Sequence, residues 1–231
     1  SIFIRSAQSD ASSIVIAAYR VVIATVLLSP VVYVRQRRVL IGMGSKQWIL
    51  ALAAGLFLGL HFLTWVTSLE YTTVASSTVL VSSLPIFVAL LSPLFLNEKP
   101  APVLYIGMTL AIIGGAIMAL SDTCVVAGIQ FSCPSWQSFS QDSALYGNGL
   151  AVLGAITGAG YFMIGRHMRI SLPLLTYVFV VYGMAALVMI VIVVMTGLPI
   201  GGYGKETYVW FLLLAVVPQL IGHSSFNWAL G

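Results

Sequence analysis

The sequence has 231 residues, 60% hydrophobic and 7% charged, with a formal net charge of +4. A soluble domain carries about 25% charged residues, so this chain cannot cover a water-soluble globule of its size, and lipid must solvate most of its surface. The basic residues are scattered and not gathered on one face, which argues against a nucleic-acid-binding protein.

In chain order, residues 1–8 (Ser-Ile-Phe-Ile-Arg-Ser-Ala-Gln) resemble the tail of a hydrophobic helix. The chain opens on Ser, and Trp228-Ala229-Leu230-Gly231 falls where a span would just be ending, so a fragment of a longer protein is expected. Seven runs reach the ~20 apolar residues that a membrane helix needs. They are 13–34, 48–69, 74–96, 102–121, 146–165, 173–196 and 208–230. Backbone polar groups cannot go unpaired in hydrocarbon, so such runs must be helices. A membrane barrel would instead alternate over segments of about ten residues. The expected class is therefore all-α, a polytopic transmembrane bundle.

The first span holds Arg20, its one basic residue, a turn or two from the expected outer end. It could contact an anion or pair with Glu70; snorkelling to the headgroups is the preferred reading, since its stem is long. In the second span His61 and Trp65 share a face, with Ser68 a turn on. The third carries Ser76, Ser77, Ser82, Ser83 and Pro85 and ends at Asn97-Glu98-Lys99-Pro100. The fifth carries Tyr161. In the last, Gln219, His223 and Asn227 recur every four residues beside Pro218. Gly55 with Gly59, Gly154 with Gly158, and the set Gly107, Ala111 and Gly115 have the small-residue spacing of close helix packing.

Short loops that carry Lys and Arg face the cytoplasm. Seven of the ten basic residues fall in the loops after the first, third and fifth spans: Arg35, Arg37, Arg38, Lys46, Lys99, Arg166 and Arg169. Loops 35–47, 97–101 and 166–172 are thus expected inside, on the cytoplasmic face of a plasma (inner) membrane. The N-terminal stub, the Tyr71 turn, segment 122–145 and loop 197–207 are expected outside. Cys124 and Cys133 enclose eight residues of that polar external segment. An oxidising exterior permits a disulfide between them; two free thiols in a loop are the alternative.

Trp48 and His61 stand 13 residues apart, as do Trp210 and His223. Each His is followed by a Trp (Trp65, Trp228) and then a Leu (Leu69, Leu230). The two spans cross the membrane in opposite senses, the pattern of an inverted-topology repeat.

These features sit among motifs that together resemble the EamA-type members of the drug/metabolite transporter superfamily. The motifs are Ala18-Tyr19-Arg20 with Ala24, Ser68-Leu69-Glu70-Tyr71-Thr72 before Ala75-Ser76-Ser77, and Leu84-Pro85-Ile86-Phe87-Val88-Ala89-Leu90-Leu91. They continue with Leu96-Asn97-Glu98-Lys99-Pro100, Ile112-Ile113-Gly114-Gly115 and Asn227-Trp228-Ala229-Leu230. The likeness spans essentially the whole chain. It implies ten helices in two inverted five-helix repeats, with these seven spans as helices two to eight. Residues 1–121 would be a first repeat lacking its first helix, 122–145 an external linker longer than usual, and 146–231 a second repeat cut after its third helix. The resemblance also implies a Glu at position 98 near the cytoplasmic mouth, with a structural or gating role.

Polar groups inside spans are costly and invite a functional question. His61, Trp65, Ser82, Tyr161, Gln219, His223 and Asn227 are the candidates to line a substrate cavity, and Arg20 and Glu98 are candidate gating or structural charges. Rings offer stacking surface, while amides and imidazoles offer adaptable hydrogen bonds. Either histidine could titrate near neutral pH, which suits proton coupling. The competing reading is hydrogen-bonded glue between helices. No phosphate loop, nucleophile elbow or metal-spaced cluster appears, so no enzyme, cofactor or metal is expected. The expectation is a secondary transporter moving a small metabolite or drug-like molecule, outward by analogy with the family. A seven-helix receptor or a structural membrane protein is the alternative, although the last span lacks a Lys for a retinal Schiff base. Oligomeric state stays open.

Overall fold

A computed structural model describes residues 2–95, 101–121, 124–127, 130–132 and 142–229. Seven helical segments in it are long and apolar enough to cross a membrane. A short α1 (Ile2–Ala7) precedes the long α2 (Ser13–Ile41) and α3 (Ser45–Tyr71). Two shorter helices, α4 (Val74–Val81) and α5 (Leu84–Phe95), together make the third span, and α6 (Pro102–Ser121) the fourth. Strands β1 (Val125–Ala127) and β2 (Gln130–Ser132) follow, and then α7 (Ser143–Arg169) and α8 (Leu174–Thr196). The last span is composite: α9 (Lys205–Leu214), a π-helical segment (Ala215–His223) and α10 (Ser224–Trp228).

The helices depart from the expected spans at their ends and breaks. α2 runs on to Ile41, so Arg35, Arg37 and Arg38 lie on its final turns and not in a loop. α7 likewise ends with Arg166, His167 and Arg169 in its last turn. Arg is a good helix former, and cations are favoured at a helix C-terminus, so the charges extend the helices instead of ending them. Pro30 lies inside α2 and cannot donate to the Val26 carbonyl; the Ser29 hydroxyl donates to that carbonyl at 2.7 Å. Pro85 cannot donate to Val81, which breaks the third span into α4 and α5. Within segment 122–145, expected as a polar loop, the described residues include two antiparallel strands that pair Val125 with Ser132 and Ala127 with Gln130.

The core forms where α2, α3, α7 and α8 meet. Leu58, Phe62, Tyr161, Tyr177, Tyr182 and Met189 are fully buried there. Glycine allows the approach of α3 to α8: a Cβ on Gly55 would lie 2.3 Å from that of Met184. A Cβ on Gly158 in α7 would come within 2.8 Å of His61 Nδ1 in α3. In the third small-residue set the two glycines differ: a Cβ on Gly107 would meet nothing within 4 Å, whereas one on the buried Gly115 would touch a Leu80 methyl at 3.4 Å. Val26, Leu56, Ile106, Leu110, Ile117 and Val194 are exposed. Such an apolar exterior suits lipid as solvent.

Contacts between connecting segments mark the two ends of the bundle. At one end, Arg5 donates to the Leu69 carbonyl, Asp10 accepts from Gly204, and Tyr71 packs edge-on to Tyr146 at 5.0 Å. At the other, Gln47 donates to Ser171 at 3.3 Å. Trp48 follows Gln47 in sequence, whereas Trp210 stacks on Phe3 near the first end. The two Trp-His spans therefore run in opposite senses.

Candidate functional site

The site is built from α2, α3, α7, α8 and the last span. Arg20 stands seven residues past the start of α2, about 10 Å along its axis. It is 1% exposed, which overturns the expected snorkelling. At that depth its side chain is enclosed by its neighbours and does not turn to the headgroups. Nε donates to Gln219 Oε1 at 2.7 Å, and the guanidinium lies 4.1 Å above the Phe62 ring and 5.7 Å from that of Trp65. Glu70, the other expected partner, instead accepts from the Ser13 hydroxyl at 2.5 Å and its backbone N–H at 3.3 Å.

The π segment presents Gln219 and His223. Ser224 N–H reaches back five residues to the Gln219 carbonyl. A widened turn of this type is frequent at functional sites, and Pro218, without an N–H, lies within it. His223 packs edge-on to Phe62 at 5.1 Å and to His61 at 5.9 Å. His61 Nδ1 lies 2.7 Å from the Gly154 carbonyl, which fixes the proton on Nδ1 when the ring is neutral. Its ring lies 5.7 Å from that of Trp65.

Tyr161 closes the opposite side. Its hydroxyl donates to Asn227 Oδ1 at 2.8 Å, and Asn227 Nδ2 donates to the His223 carbonyl at 2.7 Å. Tyr182 donates to the Gln219 carbonyl at 3.4 Å and lies 3.3 Å from the Ser224 hydroxyl.

Six of the seven cavity candidates, His61, Trp65, Tyr161, Gln219, His223 and Asn227, are thereby joined in one connected cluster. Ser82 is not among them: it is exposed and forms the C-cap of α4. The break before Pro85 is the cause. Ser68 and Ser77, 2.6 Å apart, form a separate hydroxyl pair nearby in sequence to the cluster's α3 members. Glu98 and Cys133 lie outside the described residues, and Cys124 is buried. Sequence reasoning missed Phe62, Tyr182 and Ser224, none of which differs in sequence from an ordinary packing residue.

The cluster has an unusual hydrogen-bond balance. Arg20 Nη1 and Nη2, Trp65 Nε1, Gln219 Nε2 and His223 Nδ1 are buried without a hydrogen-bond partner among the described residues. Buried polar groups are normally satisfied. Four of these five atoms can only donate. The arrangement is a cationic, donor-rich centre walled by aromatic rings.

A model of the EamA-like transporter family matches residues 1–120. A solved chain described simply as "Crystal structure of protein" is similar, with a TM-score of 0.63 at 16% identity over 99% of this chain and 72% of that one. That likeness shows the fold alone. No curated protein matches.

Proposed function

The chain belongs to the EamA-like transporter family, and on that premise we propose that it is a secondary transporter of small metabolites or drug-like molecules. It works by alternating access, in the outward direction. The observation that carries this reading is the buried cluster around Arg20, His61 and His223, where polar side chains from five spans converge amid apolar helices. Intramembrane polar residues are expensive and mark pathways. The wide π turn supplies a backbone that can rearrange as access alternates. His61 and His223 are the ring bases through which a proton would couple to the solute.

The opposite senses of the two Trp-His spans support an inverted repeat. We place the seven spans as helices two to eight of a five-plus-five bundle, with 1–121 and 146–231 as the two repeats. In this placement segments 35–47, 97–101 and 166–172 face the cytoplasm, and Cys124 and Cys133 pair outside.

Flux in proteoliposomes holding the full-length protein tests the reading. A panel of anionic, neutral and cationic metabolites is loaded inside, and exit is followed with and without a pH gradient. Solute exit that depends on the gradient is expected. No flux of any solute would overturn the proposal.

A further inference from the structure

Five buried atoms without a partner among the described residues belong to side chains of this one cluster, and four of them are obligate donors. The centre is also cationic. Arg20 spends only Nε, on the neutral amide of Gln219, and no described residue accepts from Nη1 or Nη2. A buried guanidinium with two of its three nitrogens unsatisfied is costly. The group that relieves this cost brings acceptor oxygens and negative charge. A carboxylate does both, because its two oxygens match the forked Nη pair and have lone pairs left for Trp65 Nε1 and Gln219 Nε2. The wall beside these donors is aromatic, with Phe62 packed on His223 at 5.1 Å and His61 on Trp65 at 5.7 Å, a surface that suits an unsaturated or aromatic body lying against it.

From this we infer that the cluster binds a small organic carboxylate, with the acid group on Arg20, Trp65 and Gln219 and the body against the aromatic wall of Phe62, His61 and His223. The inference rests on the reading of the cluster as the transport site.

The test uses the purified full-length protein in nanodiscs, with benzoate, benzamide and benzylammonium as probes and thermal stability and tryptophan quenching as readouts. Benzoate should bind saturably. Benzamide should bind at least about thirtyfold more weakly, the loss expected when a buried charge pair is lost, and benzylammonium should not bind. Arg20→Gln should lose benzoate by a similar factor. Trp65→Phe keeps the ring but loses the N–H, and should weaken benzoate several-fold. Gln219→Glu places a carboxylate beside Arg20; it should raise the melting temperature and abolish the benzoate response. Equal binding of the three probes, no binding of benzoate, or unchanged benzoate binding in Arg20→Gln and Gln219→Glu would overturn the inference. The proteoliposome assay separates this from the transport reading. Flux of neutral or cationic solutes that benzoate does not inhibit sinks the carboxylate site alone. Benzoate binding without flux of any solute sinks the transport reading alone.

Discussion

Arg20 Nε donates to Gln219 Oε1 at 2.7 Å across 199 residues of sequence, tying the first long helix to the π segment of the last span. Gln219→Leu removes the guanidinium's hydrogen-bonding partner in a dry environment. Hydrogen bonds to charged groups contribute about 1.5–3 kcal/mol, so a loss of about 2 kcal/mol is expected. Denaturant titration of the protein in detergent measures it, and an unchanged midpoint would count against the bond.

The hydroxyl of Tyr161 donates to Asn227 Oδ1 at 2.8 Å. Tyr161→Phe keeps the ring but leaves the amide oxygen without that donor. A neutral bond of this type contributes about 1 kcal/mol. Stability should fall by that amount, and flux should drop several-fold without vanishing, because Asn227 Nδ2 still holds the His223 carbonyl.

Close packing of α3 on α8 predicts a sharp contrast between two glycines. Gly55→Ala would set a methyl 2.3 Å from Met184 Cβ and 2.8 Å from the Ala185 nitrogen. Overpacking of this kind costs about 1–3 kcal/mol, visible as a lower melting temperature. At Gly107 a Cβ meets nothing within 4 Å, so Gly107→Ala should be neutral or slightly stabilising.

Asp10, between α1 and α2, accepts from Gly204 N–H and from the Thr207 hydroxyl, both at 2.7 Å. The Thr207 bond, then that from Gly204, holds its carboxyl below the usual range. A carboxylate with a lowered folded pKa stabilises at pH above its unfolded value and stops doing so as pH falls through the folded one. The melting-temperature gap between the protein and Asp10→Asn should therefore be full near pH 6 and close below the ordinary carboxylate range of about 4. A gap that widens on acidification would reverse the sign and refute this role.

Most of the cluster is legible in the sequence because polar residues in hydrocarbon stand out. Gln219, His223 and Asn227 recur at helical spacing, and His61 and Trp65 lie one turn apart. Three things are not legible. Arg20's direction depends on what packs over it, and helix depth alone does not separate a snorkelling side chain from an enclosed one. Ser82 reads as a cavity residue until Pro85 is seen to end the hydrogen-bond ladder just before it. The π turn leaves no periodic trace, since four-residue spacing keeps Gln219, His223 and Asn227 near one face with or without it. Phe62 and Tyr182 look like core aromatics, and only the positions of Arg20 and Gln219 give them a role.

The central claim is that this buried cluster is the pathway of a proton-coupled transporter. The most direct test is flux from proteoliposomes containing His61→Ala or His223→Ala full-length protein, each first shown to be monodisperse, across external pH. The account predicts that each substitution cuts flux strongly and flattens its pH dependence, because the two rings face each other at 5.9 Å in one site. Flux and pH dependence equal to those of the unaltered protein would contradict it and leave the histidines as packing between helices.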